Sequence, residues 1–137
     1  MADSNPHENE IAKKIVDAAI EVHRELGGPG LLESVYEEAL IYELREKGLP
    51  VERQKQVPIC YKGQVLSTPL RLDILVGNRV IVEVKAVSNG NSVFESQLLT
   101  YLRLTDLKLG LLINFGHTLV KNGVRRIING TLDNREE

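Results

Sequence analysis

Around Val51 the spacing of apolar residues changes from three and four to two, which divides the 137-residue chain into a helical start and a mostly stranded remainder. Before the switch, Ile11, Ile15, Ala18, Ala19, Val22 and Leu26 fall on one stripe and predict an amphipathic helix over Glu8–Leu26. Asn5-Pro6 suits its start and Gly27-Gly28 its end. A second helix runs to Lys47, with Leu32, Val35, Ala39 and Tyr42 in one column, Tyr36, Leu40 and Leu44 in the next, and Gly48 as the stop.

After the switch, strands are expected near Gln54–Tyr61, Leu70–Val76 and Arg79–Ala86, with Lys62-Gly63-Gln64 and Gly77-Asn78 as turns. A third helix follows from Ser92 to about Leu104, its stripe made by Phe94, Leu98, Tyr101 and Leu102. The unbroken apolar run Leu109–Phe115 suits a strand buried on both faces. Asn122-Gly123 predicts a hairpin joining Leu119–Lys121 to Val124–Ile128. The expected fold is α/β, a single mixed β-sheet flanked by helices. Residues 1–137 are expected to form one domain, with its core at about 9–130 and a loose tail over 131–137.

A hydrophobic fraction of 42% with 26% charged residues excludes disorder for the whole. No apolar run approaches the about 20 residues of a spanning helix, so no membrane partner is expected. The single Cys60 cannot form an internal disulfide, and no basic stretch followed by an apolar one opens the chain, so a reducing cytoplasm is the expected compartment. Residues 1–50 carry 5 basic and 11 acidic side chains whereas residues 97–130 carry 5 and 1, which makes the C-terminal part compatible with a polyanion. With 4% aromatics and no tryptophan, a platform that stacks several bases is not expected. Arg71, Lys108, Lys121, Arg125 and Arg126 are candidate phosphate contacts, or simply parts of a solvated charged surface.

Candidate chemistry concentrates between Arg71 and Lys85. On a strand, Glu83 and Lys85 point one way and Val82 and Val84 the other. Asp73 faces Glu83 directly only if the intervening loop holds an odd number of residues, such as Gly77-Asn78-Arg79 with a bulge. The odd loop is predicted, because it gathers two carboxylates and a lysine; a solvated sheet face with a cross-strand ion pair would carry the same charges. Gln97 and Tyr101 share a helical face within reach of Lys85 or a phosphate, although Tyr101 in the core and Gln97 on the surface fits the spacing equally. Glu33 opens the second helix, where the helix dipole favours an acid in any case, and Ser34 with Glu37 resembles a capping box. His7, His23 and His117 have no zinc spacing with one another or with Cys60, and His23 reads as a boundary residue of the first helix. His117, in a loop after Gly116, is a candidate neighbour of substrate. Neither a nucleophile elbow nor a glycine-rich phosphate loop is present.

Taken together, Gly30-Leu31-Leu32-Glu33-Ser34-Val35-Tyr36, Arg71-Leu72-Asp73, Glu83-Val84-Lys85, Gln97-Leu98-Leu99-Thr100-Tyr101-Leu102 and Gly110-Leu111-Leu112-Ile113-Asn114-Phe115-Gly116 resemble the GxxExxY protein family, from about Glu10 to Ile128. That family is placed in the PD-(D/E)XK nuclease-like superfamily; Leu72 stands where the superfamily's name has proline. The resemblance implies a restriction-endonuclease-like αβββαβ core, here with an extra N-terminal helix. It also implies a phosphodiesterase site dependent on Mg2+, with Mn2+ as a substitute. Asp73, Glu83 and the Val84 carbonyl would be metal ligands, and Lys85 would stand beside the attacking water. Glu33 would hold a metal-bound water or second ion, and Gln97 with Tyr101 would support Lys85 or the scissile phosphate. Mg2+ prefers oxygen ligands and keeps several waters, which two carboxylates and a carbonyl permit. The expected partner is nucleic acid, DNA ahead of RNA, with a homodimer left open. The alternatives are a catalytically silent nuclease-fold module that binds nucleic acid or a protein, and a structural subunit that uses its sheet face for assembly.

Overall fold

The computed structural model describes residues 7–132. Two helices, α1 (Glu8–Leu26) and α2 (Glu33–Glu46), precede β1 (Val51–Val57), the small hairpin β2 (Cys60–Tyr61) and β3 (Gln64–Val65), β4 (Leu70–Val76) and β5 (Val80–Lys85). Then come α3 (Ser92–Thr105), β6 (Leu109–Asn114), a 3-10 turn (Val120–Gly123) and β7 (Val124–Ile128). Five strands form a mixed sheet in the order β1-β4-β5-β6-β7, in which only β5 and β6 run parallel, joined through α3. This is the helix, strands, helix, strand order expected from the sequence, preceded by one extra helix. Among the described residues no helix is long and apolar enough to cross a membrane.

The sheet separates two cores. On one face α1 and α2 pack Ile15, Ala19, Leu40 and Leu44 against Ile74, Val82, Val84 and Ile113. On the other, Leu98 and Leu102 of α3 cover Leu72, Ile81 and Leu112. Burial of β5 and β6 on both faces explains their continuous apolar runs. The approach of α3 is close. A Cβ at Gly110 would lie 2.8 Å from Leu98, so glycine lets the helix settle on β6.

Several expectations need correction. Helix α1 begins at Glu8 with His7 as a capping box to Glu10; the expected start at Asn5-Pro6 and the end of the tail lie outside the described residues. His23 is no boundary residue, because it is buried, donates from Nε2 to the Phe115 carbonyl at 3.1 Å and tilts against the rings of Tyr36 and Phe115. In α2 the column Tyr36, Leu40, Leu44 is core together with Ile41, while Leu32, Val35 and Tyr42 stay exposed. Ser34 and Glu37 make no capping box, since Leu32 is the N-cap residue and Glu37 turns instead to Arg53 and Gln54. The first strand starts at Val51, and the predicted span to Tyr61 breaks after Val57 at Pro58. Asn122-Gly123 is no hairpin turn, because β7 pairs with β6 and the preceding segment coils into the 3-10 turn.

The C-terminal end of β5 is fixed by its neighbours. Phe115 donates its amide to the Lys85 carbonyl at 2.8 Å. The buried Asn114 side chain accepts from the amides of Val87 and Gly116 and donates to the Val87 carbonyl. Gly116 is required there, since a Cβ would stand 2.1 Å from the Val87 carbonyl oxygen. Gly116→Ala should therefore destabilise the protein by about 1–3 kcal/mol, the range for forced overpacking. Urea unfolding checks this, and an unchanged midpoint would show that the loop after β5 is not held by this contact.

Candidate active site

Residues 77–79 form a three-residue loop. Val76 pairs with Val80 and Ile74 with Val82, so one step further Asp73 stands across from Glu83, as the odd loop predicts. Gly77 and Asn78 both take the left-handed backbone of a type I′ turn, closed by Arg79 N–H to the Val76 carbonyl at 3.1 Å. The paired ladder between β4 and β5 ends at Ile74, and beyond it side chains replace it. The Asp73 amide donates to Glu83 Oε2 and the Val84 amide to Asp73 Oδ2, both at 2.9 Å.

The expected simple alternation does not hold at Asp73. Leu70 and Leu72 pack on the α3 side, but Ile74 and Val76 pack on the α1 and α2 side, so β4 changes face between them. On β1 the facing irregularity is Gln54, at φ 52°, skipped between the pairs Arg53 with Ile74 and Lys55 with Leu72. Asp73 lines a cleft on the α2 side together with Glu33, Glu37, Gln54 and Ala86. Glu83, whose neighbours Val82 and Val84 occupy the α1 and α2 core, reaches the same gap from the α3 side. The two carboxylates thus meet inside the gap instead of side by side on one surface.

Burial, opposed in part by the Val84 amide, raises the pKa of Asp73. Burial and then the Asp73 charge push Glu83 up to about 8. The Lys85 ammonium acts on both carboxylates, and it lies 4.6 Å from the centre of the Phe94 ring. Tyr101 is half-buried, and burial followed by the charges of Glu83 and Asp73 raises its pKa. Asp73, Glu83, Lys85 and Tyr101 therefore form one electrostatic group. Gln97, one turn earlier on α3, is exposed, and Glu33 sits exposed across the cleft from Asp73. The Val84 side chain belongs to the core, which leaves its main chain as its part of the site.

The basic residues do not gather into one surface. Arg125 shares a cavity with Lys85, whereas Arg126 faces the other way and donates to Asn9 Oδ1 at 2.6 Å. Lys121 lines a separate groove beside α1, and Arg71 and Lys108 are exposed elsewhere. Two site residues escape sequence reasoning. Glu37 is buried, binds Arg53 at 2.6 Å and accepts from Gln54 at 3.0 Å, and Gln54 also hydrogen-bonds the Asp73 carboxylate. Glutamine carries no local signal for a left-handed residue inside a strand; Glu37 could have been suspected only from its position one turn after Glu33.

Two hard-oxygen donors, half-buried Asp73 and buried Glu83, the latter kept from ionising near neutral pH, fit a divalent cation, which would favour their charged forms. Without a cation, Glu83 keeps a proton in the folded protein that the unfolded chain loses near 4.5, so stability should fall as pH rises from there toward about 8. Thermal unfolding in a chelator between about pH 5 and about pH 8 tests this. Glu83→Gln should flatten the slope, and equal slopes for the two proteins would show that Glu83 titrates normally.

Residues 9–127 match a family model described as the PD-(D/E)XK nuclease superfamily. No curated protein and no solved structure matches the chain.

Proposed function

Because the chain belongs to the PD-(D/E)XK nuclease superfamily, whose nucleases generally use divalent metal ions, we propose that it hydrolyses phosphodiester bonds of nucleic acid with Mg2+, or Mn2+ in its place. Within the superfamily it is read as a GxxExxY protein. The observation that carries the proposal is the pair of carboxylates, half-buried Asp73 and buried Glu83, that cross between β4 and β5 where the ladder stops. Each accepts from one backbone amide, Asp73 from Gln54 as well, and a carboxylate's several lone pairs leave room for a ligand.

Asp73 and Glu83, with the Val84 carbonyl, would hold the cation. Bound there, it would supply a water of lowered pKa and offset charge on the phosphoryl oxygens. Lys85 lies beside the carboxylates, among the described residues without an ion pair, and is available to orient that water and to stabilise charge on the phosphate. Tyr101 supports Lys85 from α3, joined by Gln97 once a strand is bound. Glu33 faces Asp73 across the cleft and would hold a water or second ion. Arg125 would contact a phosphate beside Lys85, while Arg71, Lys108, Lys121 and Arg126, which lie on other surfaces, would touch only outlying stretches of a nucleic acid, DNA before RNA, in a cytoplasmic protein that is free to dimerise. A catalytically silent binding module is the second reading. It is favoured by one observation: among the described residues no group of three or more His, Cys, Asp or Glu side chains assembles into a metal site.

A panel of single-stranded, duplex, flap and junction substrates with Mg2+, Mn2+ or EDTA tests the proposal. Lys85→Ala should lose on the order of 100-fold or more in rate, as removal of one preorganised electrostatic group does, while Mg2+ affinity measured by calorimetry is retained. Asp73→Ala should lose both. Cleavage that survives both substitutions, or that persists in EDTA, would place the activity elsewhere.

A further inference from the structure

On the α3 side of the sheet, beyond the carboxylates, Lys85 forms one wall of a cavity of about 240 Å³. Arg125 of β7 and His117 contribute further nitrogen groups, and the residues 90–92 that lead into α3 close another side. The register explains the gathering. Lys85 pairs with Asn114 and Arg125 with Leu112, so both basic side chains reach the same face from neighbouring stretches of sheet. One acid, Glu95, shares the lining. Among the described residues no ion pair neutralises Lys85, Arg125 or His117. Arg125 donates Nη1 to the carbonyls of Asn122 and Val124, which fixes its guanidinium and leaves other donors free. The walls are preformed, since a Cβ at Gly123 would lie 2.3 Å from the Asn114 carbonyl oxygen and 2.8 Å from the His117 ring.

We propose that this cavity binds the terminal phosphate monoester of a nucleic acid strand, so that the protein recognises phosphorylated strand ends. The proposal deepens the hydrolytic reading and rests on its assignment of Lys85. Volume and charge select the ligand. At about 240 Å³ the cavity lies below the range of about 300–1,000 Å³ that takes a drug-sized ligand, and suits a single phosphate group. An internal diester brings one negative charge, whereas a terminal monoester brings about −1.5 to −2 at neutral pH and three acceptor oxygens. An ammonium, a guanidinium and an imidazole, converging with several N–H donors, match the three acceptor oxygens of the monoester better.

The test is fluorescence anisotropy in EDTA, at fixed ionic strength, with one short strand that ends in 5′-phosphate, 3′-phosphate or hydroxyl. A phosphorylated end is expected to bind on the order of tenfold tighter than hydroxyl, the scale of one charge-assisted hydrogen bond. Arg125→Ala and His117→Ala, each checked for folding by circular dichroism, should each reduce that preference. Equal affinity for all three ends, or a preference unchanged in both variants, would overturn the proposal. Inorganic phosphate should displace the labelled strand only weakly; phosphate that competes as well as the phosphorylated strand would overturn the assignment to strand ends. Because EDTA blocks turnover, absence of Mg2+-dependent cleavage in a separate assay would sink the hydrolytic reading and leave the end preference standing.

Discussion

The change of face in β4 at Asp73 governs the rest of the site. A strand that sends Leu72 to one core and Ile74 to the other cannot keep a regular ladder through the residue between them. The amides of Asp73 and Val84 then need other acceptors, and the two carboxylates supply them. The magnitudes are uneven. An orphaned buried amide costs about 1–3 kcal/mol, whereas burying a carboxylate costs several kcal/mol, which emerges here as proton affinity, with Glu83 pushed up to about 8. A neutral amide or hydroxyl side chain would satisfy each amide at lower cost. Backbone satisfaction alone therefore does not account for two acids in this gap, and the proposed divalent cation would.

Both layers hold the gap open in a fixed place. Tyr36 stacks on Phe115 at 4.6 Å between ring centres, and its hydroxyl donates to the Gly28 carbonyl and accepts from the Leu31 amide. The loop before α2 is thereby tied to the end of β6, and Glu33 enters the cleft from a fixed start. From the other direction, Asn114 and the Phe115 amide fix the segment after Lys85. The tyrosine of the Gly30-to-Tyr36 motif thus acts as an anchor, buried at 0% exposure, away from the reacting groups.

What the sequence allowed a reader to see follows from how local each cause was. The bounds of α1 after its cap and the stripe of α3 depend on near neighbours, and both are present; the three-residue loop after Val76, expected because it would gather the charges of Asp73, Glu83 and Lys85, is present too. The buried column of α2 was not readable, because two apolar columns stand side by side and only the sheet decides which is covered. Asn122-Gly123 carries a strong turn signal that lost to the pairing of β7 with β6. Ser34 and Glu37 matched a cap, but Arg53 and Gln54, from a strand far along the chain, claimed the glutamate. The face change at Asp73 was invisible for the same reason. It arises from the competing demands of two cores, and neither is written in residues 70–76 alone.

The same geometry couples the cation to the phosphate. With Glu83 protonated, the trio holds at most one negative charge against the Lys85 ammonium, and the gap offers an anion little net attraction. Ionising both carboxylates around a divalent cation leaves two negative charges against three positive ones, and a phosphate then meets net positive charge at short range and low exposure. Lys85 is the hinge of this balance, since its ammonium acts on Asp73 and Glu83 and also lines the cavity with Arg125. Substrate affinity at the gap should consequently depend strongly on the divalent ion, and affinity in the neighbouring cavity less so, since it shares Lys85 with the gap but draws on Arg125 and His117 as well.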